Sequence, residues 1–241
     1  MPFPLAHPAA VLPLKRYCSR WLNFPALVIG SLVPDTAYLF QRDDVSGFSH
    51  QLLGSIAYGL PIGLLLLAVL YALRLPAVEI LPNPARRLFI TLCRRPIGPL
   101  WLAAASLVIG IWTHVFWDSF THNEGWIVAQ LPILQIPVLT FAGRTARVCH
   151  VLWYASTIAG VGWLLVAFEN WKWSNAPGRK RTSVRSLIGS AIVLAILAVA
   201  VSLVRHLVRD TAGFVLTAVL CTLLVVVFAI RMTRTRRSTR Y

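Results

Sequence analysis

The chain has 241 residues, of which 57% are hydrophobic and only 13% charged, about half the quarter usual in a soluble globular domain. That composition excludes a disordered chain and argues against a cytosolic enzyme, because both need far more polar surface. The 23 Lys and Arg against 8 Asp and Glu give a formal net charge of +15, which means nucleic-acid binding in a soluble chain and basic cytoplasmic loops in a membrane chain, so the placement of the charges decides.

In chain order, the opening MPFPLAHPAAVLPL holds four prolines and no basic residue. A signal peptide would show a positive start and an unbroken apolar core, so this segment is not read as one. The apolar stretch from Trp21 to Pro34 lies between Arg20 and Asp35 and is too short to span alone. Two readings stay open for it: an interfacial or re-entrant helix, or a tilted span reaching Phe40. Five uncharged windows follow, at 51–73, 96–117, 148–168, 186–204 and 211–230. A helix needs about 20 residues to cross roughly 30 Å of hydrocarbon, and each window meets that length. The expectation is an all-α polytopic integral membrane protein, one membrane domain over 1–241 with five or six transmembrane helices and a basic tail at 231–241. Pro61 and Gly63 fall inside the first window, where a kink is tolerated.

Charge placement sets the orientation. The loop after the first window carries Arg74, Arg86, Arg87, Arg94 and Arg95. The loop after the third carries Lys172, Arg179, Lys180, Arg181 and Arg185, and the tail carries Arg231, Arg234, Arg236, Arg237 and Arg240. These make 15 of the 23 basic residues, and the positive-inside rule places them, with the C-terminus, on the cytoplasmic side of the cell membrane. Nucleic acid thereby loses its support as a partner. The expected partner is the bilayer, whose anionic headgroups the tail TRTRRSTRY could touch. With five spans, the N-terminal 50 residues and the loop from Asp118 to Arg147 share the outer face; a sixth span would move the N-terminus inside.

Most residues capable of metal chemistry fall on that outer face. His7 stands in AHPAA, Asp35 in GSLVPD, His50 in FSH, and His114, Asp118 and His122 in HVFWDSFTH. In the last group each step of four turns a helix through about 400°, a drift of only about 40°, so the three side chains form one stripe at the outer end of the second window. Imidazole and carboxylate on one stripe can bind a zinc-like ion, or bridge two ions through the aspartate. Ionisable groups at helix ends also sit in the headgroup region satisfied by water, and His150 and His206 are read that way. His114 lies inside its apolar window, where an ionisable group is costly and usually functional. The four cysteines are scattered, with no CxxC, and read as small apolar fillers. The tryptophans near window ends, Trp101, Trp117, Trp126, Trp171 and Trp173, read as an aromatic belt. Gly59-x-x-x-Gly63 carries no weight beyond helix packing.

Taken in order, MPF-x-x-AHPA, GS-x-x-PD, SH and H-x-x-WDS-x-TH resemble a bacterial membrane family of unknown function. That family looks like the inner-membrane-associated metal-dependent hydrolases and, more distantly, the all-α superfamily of zinc-dependent phospholipases C and single-strand nucleases. The resemblance implies a zinc site at His7, Asp35, His50, His114, Asp118 and His122. This chain departs from the soluble enzymes in two ways. Where they carry a further helix with His-x-x-x-acid, it offers only His150-x-x-x-Tyr154, and no cleavage signal precedes His7.

The resulting expectation is a membrane-bound, metal-dependent hydrolase of a lipid or lipid-linked phosphoester, with Asp118 the central ligand and catalytic anion. The alternative is a non-enzymatic membrane protein in which the same residues form a structural metal clip or a partner-binding site. A transporter is disfavoured, because the last two windows carry no ionisable side chain of Asp, Glu, Lys, Arg or His near mid-membrane.

Overall fold

The computed structural model describes residues 4–18, 21–40, 43–83, 85–141 and 144–175. The windows at 186–204 and 211–230 and the basic tail lie outside the described residues. Those described are mostly helical. Short helices α1 (Pro8–Val11), α2 (Phe24–Gly30), α3 (Val33–Thr36) and α4 (Asp43–Ser49) precede the long α5 (Leu52–Ile80). Then come α6 (Ala85–Cys93), α7 (Leu100–Thr121), α8 (Trp126–Gln130), α9 (Pro132–Gln135), an antiparallel pair β1 (Pro137–Phe141) and β2 (Arg144–Arg147), and α10 (Val148–Ser174). The β-hairpin departs from the all-α expectation. It occupies VLT and RTAR, where β-branched residues favour extended backbone.

Three of these helices, α5, α7 and α10, are long and apolar enough to cross a membrane. They correspond to the first three windows but outrun them. The helix α5 continues past Arg74 and through Pro76 to Ile80, α7 continues past Asp118 to Thr121, and α10 continues past Glu169 to Ser174. Charge-free windows locate the apolar middle of a span, whereas backbone hydrogen bonding runs on through charged ends whose long side chains lie back along the helix. Arg74 does this: its guanidinium lies 3.8 Å from the Tyr71 ring centroid, and its Nη1 donates to Arg95 O at 2.7 Å. The stretch from 21 to 40 forms α2, α3 and a 3-10 turn at Ala37–Phe40.

The described residues fall into two compact units, one of residues up to 68 together with 97–166, the other of 69–96 with 167–175. In the second, Phe89 of α6 stacks on Phe168 and Trp171 at 6.3 and 5.5 Å. The first holds the core that matters for the site. Asn23 starts α2: its side chain accepts from Ala26 N at 2.9 Å, satisfying a free first-turn N–H. Its own N–H donates to Ser106 Oγ of α7, and its amide donates to Ile97 O. The helix then lies along α7, with Leu27, Leu107 and Ile111 fully buried. Two glycines permit that approach. A Cβ on Gly30 would stand 2.2 Å from Leu107 O, and one on Gly110 would stand 2.3 Å from Leu27 O.

The start of α5 also packs on α7. Ser55–Gly59 is a π turn in which Leu60 N donates to Ser55 O, directly before Pro61, which has no N–H to give. The expected disturbance near Pro61 is therefore a widened turn. Gly59 and Gly63 face Ile111 and Leu107, so the Gly-x-x-x-Gly pair does serve packing.

Candidate metal centre

The last two turns of α7 carry the centre. His114 and Asp118, one turn apart, are both buried, with His114 Nε2 3.3 Å from Asp118 Oδ2. The helix ends at Thr121, and His122 is the extended residue that closes it, with φ −111° and ψ 141°. The expected three-residue helical stripe is therefore two helical residues plus a cap. The His122 N–H donates to Asp118 O at 3.1 Å, which holds its Nδ1 3.7 Å from Asp118 Oδ2.

Three other segments converge on those turns. Pro8 at the start of α1 fixes the backbone after His7. The buried His7 ring stacks on His114 with centroids 3.7 Å apart, and its Nε2 is 3.5 Å from Asp118 Oδ1. Asp35 sits in α3 with its Oδ1 3.5 Å from His114 Nε2. His50 follows α4 and points its Nε2 at both acids, 3.9 Å from Asp35 Oδ1 and 3.5 Å from Asp118 Oδ2. Ser49, just before it, donates its hydroxyl within reach of Ser46 O and Pro34 O, joining the ends of α3 and α4.

All six residues singled out from the sequence therefore gather in one place. Four of them, Asp35, His50, His114 and Asp118, offer one ligand atom each within 4.8 Å of one another. His7 lies against His114 and Asp118, and His122 lies at the rim, its side chain 29% exposed against 6% for Asp118.

The ring orientations are fixed by backbone. His114 Nδ1 is 2.8 Å from Ser31 O, His50 Nδ1 is 2.8 Å from Ser46 O, and His122 Nδ1 is 3.0 Å from Asp118 O. A carbonyl only accepts, so each Nδ1 carries a proton, and in the neutral ring the lone pair stands on the inward Nε2. This is the usual support of a metal-bound histidine. Sequence reading missed these supports, because a backbone carbonyl leaves no side-chain signal. The Gly30-Ser31 pair inside GSLVPD is the trace it leaves: the glycine admits α7, and the next carbonyl meets His114. Tyr38 was also missed; its ring lies 5.8 Å from that of His50.

The inward-facing atoms lack hydrogen-bond partners. Both nitrogens of His7, both oxygens of Asp35 and Asp118, and Nε2 of His50, His114 and His122 are buried and unsatisfied. The gaps between them, 3.3–3.9 Å, exceed a normal hydrogen bond. Leaving so many polar atoms unpaired costs about 1–3 kcal/mol each. Two donors bound to one tetrahedral zinc, each about 2.0–2.2 Å from it, stand about 3.3–3.6 Å apart. The separations here match a shared small cation better than they match direct contact, and neutral imidazole with carboxylate is the donor set that zinc and its first-row neighbours take.

Burial disfavours charge on the two flanking histidines and on Asp35 alike. Burial, reinforced by the neighbouring His114, holds His7 well below the usual imidazole range. Burial lowers His122 to about 4, so both rings are neutral with a lone pair to give. Burial also pushes Asp35 up to about 6, partly offset by His114.

His150 stands apart from this cluster. Its Nδ1 accepts from Arg147 N at 3.0 Å at the start of α10, a capping role. Among the described residues Cys18, Cys93 and Cys149 are free thiols, and Cys149 is fully buried.

Residues 1–235 match the family model described as "Domain of unknown function (DUF4184)". No curated protein and no solved structure matches the chain.

Proposed function

This chain belongs to the DUF4184 family, and we propose that it is a multi-pass cell-membrane protein whose His/Asp cluster holds a divalent metal, zinc by preference, and hydrolyses a phosphoester of a lipid or lipid-linked molecule. The observation that carries the metal is the set of buried, unsatisfied donors spaced 3.3–3.9 Å apart on four separate segments. Asp35, His50, His114 and Asp118 would hold the ion, with His7 and His122 flanking Asp118. When bound, such an ion acts as a Lewis acid and lowers the pKa of water to near neutrality.

The chain's own residues supply the rest. The carbonyls of Ser31 and Ser46 hold the His114 and His50 rings with Nε2 inward. Asp118 puts its carboxylate at the middle of the group, where an anion offsets cationic charge most directly. His122 is the most exposed of the six side chains and marks the side from which a phosphoester would reach the cluster. The substrate class rests on the membrane setting and on the resemblance to metal-dependent hydrolases. Orientation, with this cluster outside and the tail in the cytoplasm, rests on the partition of basic residues.

A second reading has its own support. His7, Asp35, His50 and the α7 pair come from four segments distant in sequence, so a cation would staple the N-terminal region to α7, as a structural site does. Asp118→Asn separates the two readings, since it keeps the shape and removes the charge. Turnover is measured on phospholipids and polyprenyl phosphates, with melting temperature measured with and without chelator. A catalytic site loses turnover and keeps most of its stability. Loss of stability, with no turnover even in the unaltered protein, overturns the hydrolase reading and leaves the clip.

A further inference from the structure

We propose that residues 126–141 form an insert that lies in the headgroup and acyl-chain boundary of the bilayer, beside the last turn of α7, and that its outward partner is lipid. Between Glu124 and Arg144 the sequence has no charged residue and no histidine. The segment is folded as α8, α9 and β1, so it is not a span. Its inner side is held: Ile127, Val128 and Leu134 pack with Cys149 against Phe120 and Val148, Gln135 turns its amide back to Val128 O, and Val148 N donates to Ile136 O.

The outer side should then be polar if water covered it, because a loop or short helix in water shows one apolar face. Instead Trp126, Leu131, Ile133, Ile136, Val138 and Leu139 are all exposed, with Ile133 and Leu139 at 63% and 64%. The hairpin is unusual in the same way. Leu139 and Thr140 are adjacent, regularly paired residues of β1 and both exposed, so neither face of this two-stranded pair is covered, and an isolated pair of this kind is marginal in water.

Two features point to lipid as the cover. The segment begins five residues after Thr121 ends α7, and β2 runs directly into α10 at Val148, so its ends are fixed at the ends of two membrane-length helices. Where the apolar run stops, β2 leads to Arg147, a cation that suits anionic phosphates at the depth where acyl chains give way to headgroups. Open strand edges keep the insert out of the hydrocarbon centre, where unpaired backbone groups are not tolerated.

The test is site-directed spin labelling, and it needs neither metal nor turnover, so it stands or falls apart from the hydrolase reading. Cys18, Cys93 and Cys221 are changed to alanine and the buried Cys149 is kept. Ile133→Cys and Leu139→Cys are then each labelled, with Glu124→Cys as the aqueous reference in the preceding loop. The proteins are reconstituted in phosphatidylcholine–phosphatidylglycerol vesicles, and collision rates with oxygen and with a water-soluble nickel chelate are measured. Lipid insertion predicts that labels at 133 and 139 favour oxygen over nickel severalfold more than the label at 124. Nickel access equal to that at 124 would show water on this face. Low access to both reagents would show cover by protein, from a second copy or from elsewhere in this chain. Either result overturns the proposal. The two positions lie in separate elements, α9 and β1, so disturbance of one by its label leaves the other to decide.

Discussion

Gly110→Ala tests how helix packing sets the metal centre, because its effect can be worked through in ångströms. The added methyl would stand 2.3 Å from Leu27 O, against an ordinary carbon–oxygen approach of about 3.3 Å or more. The obstacle is backbone, so α2 and α7 must separate locally by about 1 Å. Ser31 closes α2, and its carbonyl holds His114 Nδ1 at 2.8 Å. A displacement of about 1 Å takes that contact outside hydrogen-bonding range. Overpacking costs about 1–3 kcal/mol, and a buried ring nitrogen left unpaired costs about 1–3 kcal/mol more. Loss of a ligand's orienting partner typically weakens metal binding about 10–100-fold. The assay is zinc affinity by competition with a chromophoric chelator in detergent, alongside thermal melting. Gly162→Ala is the control, since nothing lies within 4 Å of its added Cβ. Wild-type zinc affinity and melting in Gly110→Ala would refute the reasoning that the glycine contact positions His114.

Asn23→Ala removes the cap of α2 and its tie to Ile97, and should lower stability by about 1–2 kcal/mol in a denaturation curve while metal content holds. His150→Ala should leave metal content unchanged, because that ring caps α10; a fall in bound metal would place it in the centre after all. Cysteine labelling from outside should modify a probe at Asn123 and spare one at Arg86, and the reverse pattern would invert the orientation.

The residues that make the candidate centre were legible because chemistry is written in side-chain type. A histidine and aspartate one turn apart at the end of an apolar window, with Pro-Asp and Ser-His segments upstream, already pointed to one cluster. The helices α5, α7 and α10 were legible as uncharged runs, but their ends were not, because Arg74 and Asp118 are accommodated inside helices by Tyr71 and by the cluster itself. The His122 cap was missed because spacing alone does not tell a continuing helix from one that ends at Thr121. The first strand of the hairpin was hidden in an apolar, uncharged stretch whose periodicity is neither that of a helix nor that of a strand. The supports at Ser31 O and Ser46 O could not be read at all, since any residue supplies a carbonyl and only the packing of α2 on α7 brings one to His114.

The central claim is that Asp35, His50, His114 and Asp118 hold a cation. Protein purified in mild detergent without chelator should carry close to one or more equivalents of zinc, or another divalent first-row metal, by elemental analysis. The same preparation of Asp118→Asn should carry far less. Wild-type protein that is folded, yet binds no such metal either as purified or after incubation with the ion, would contradict the account.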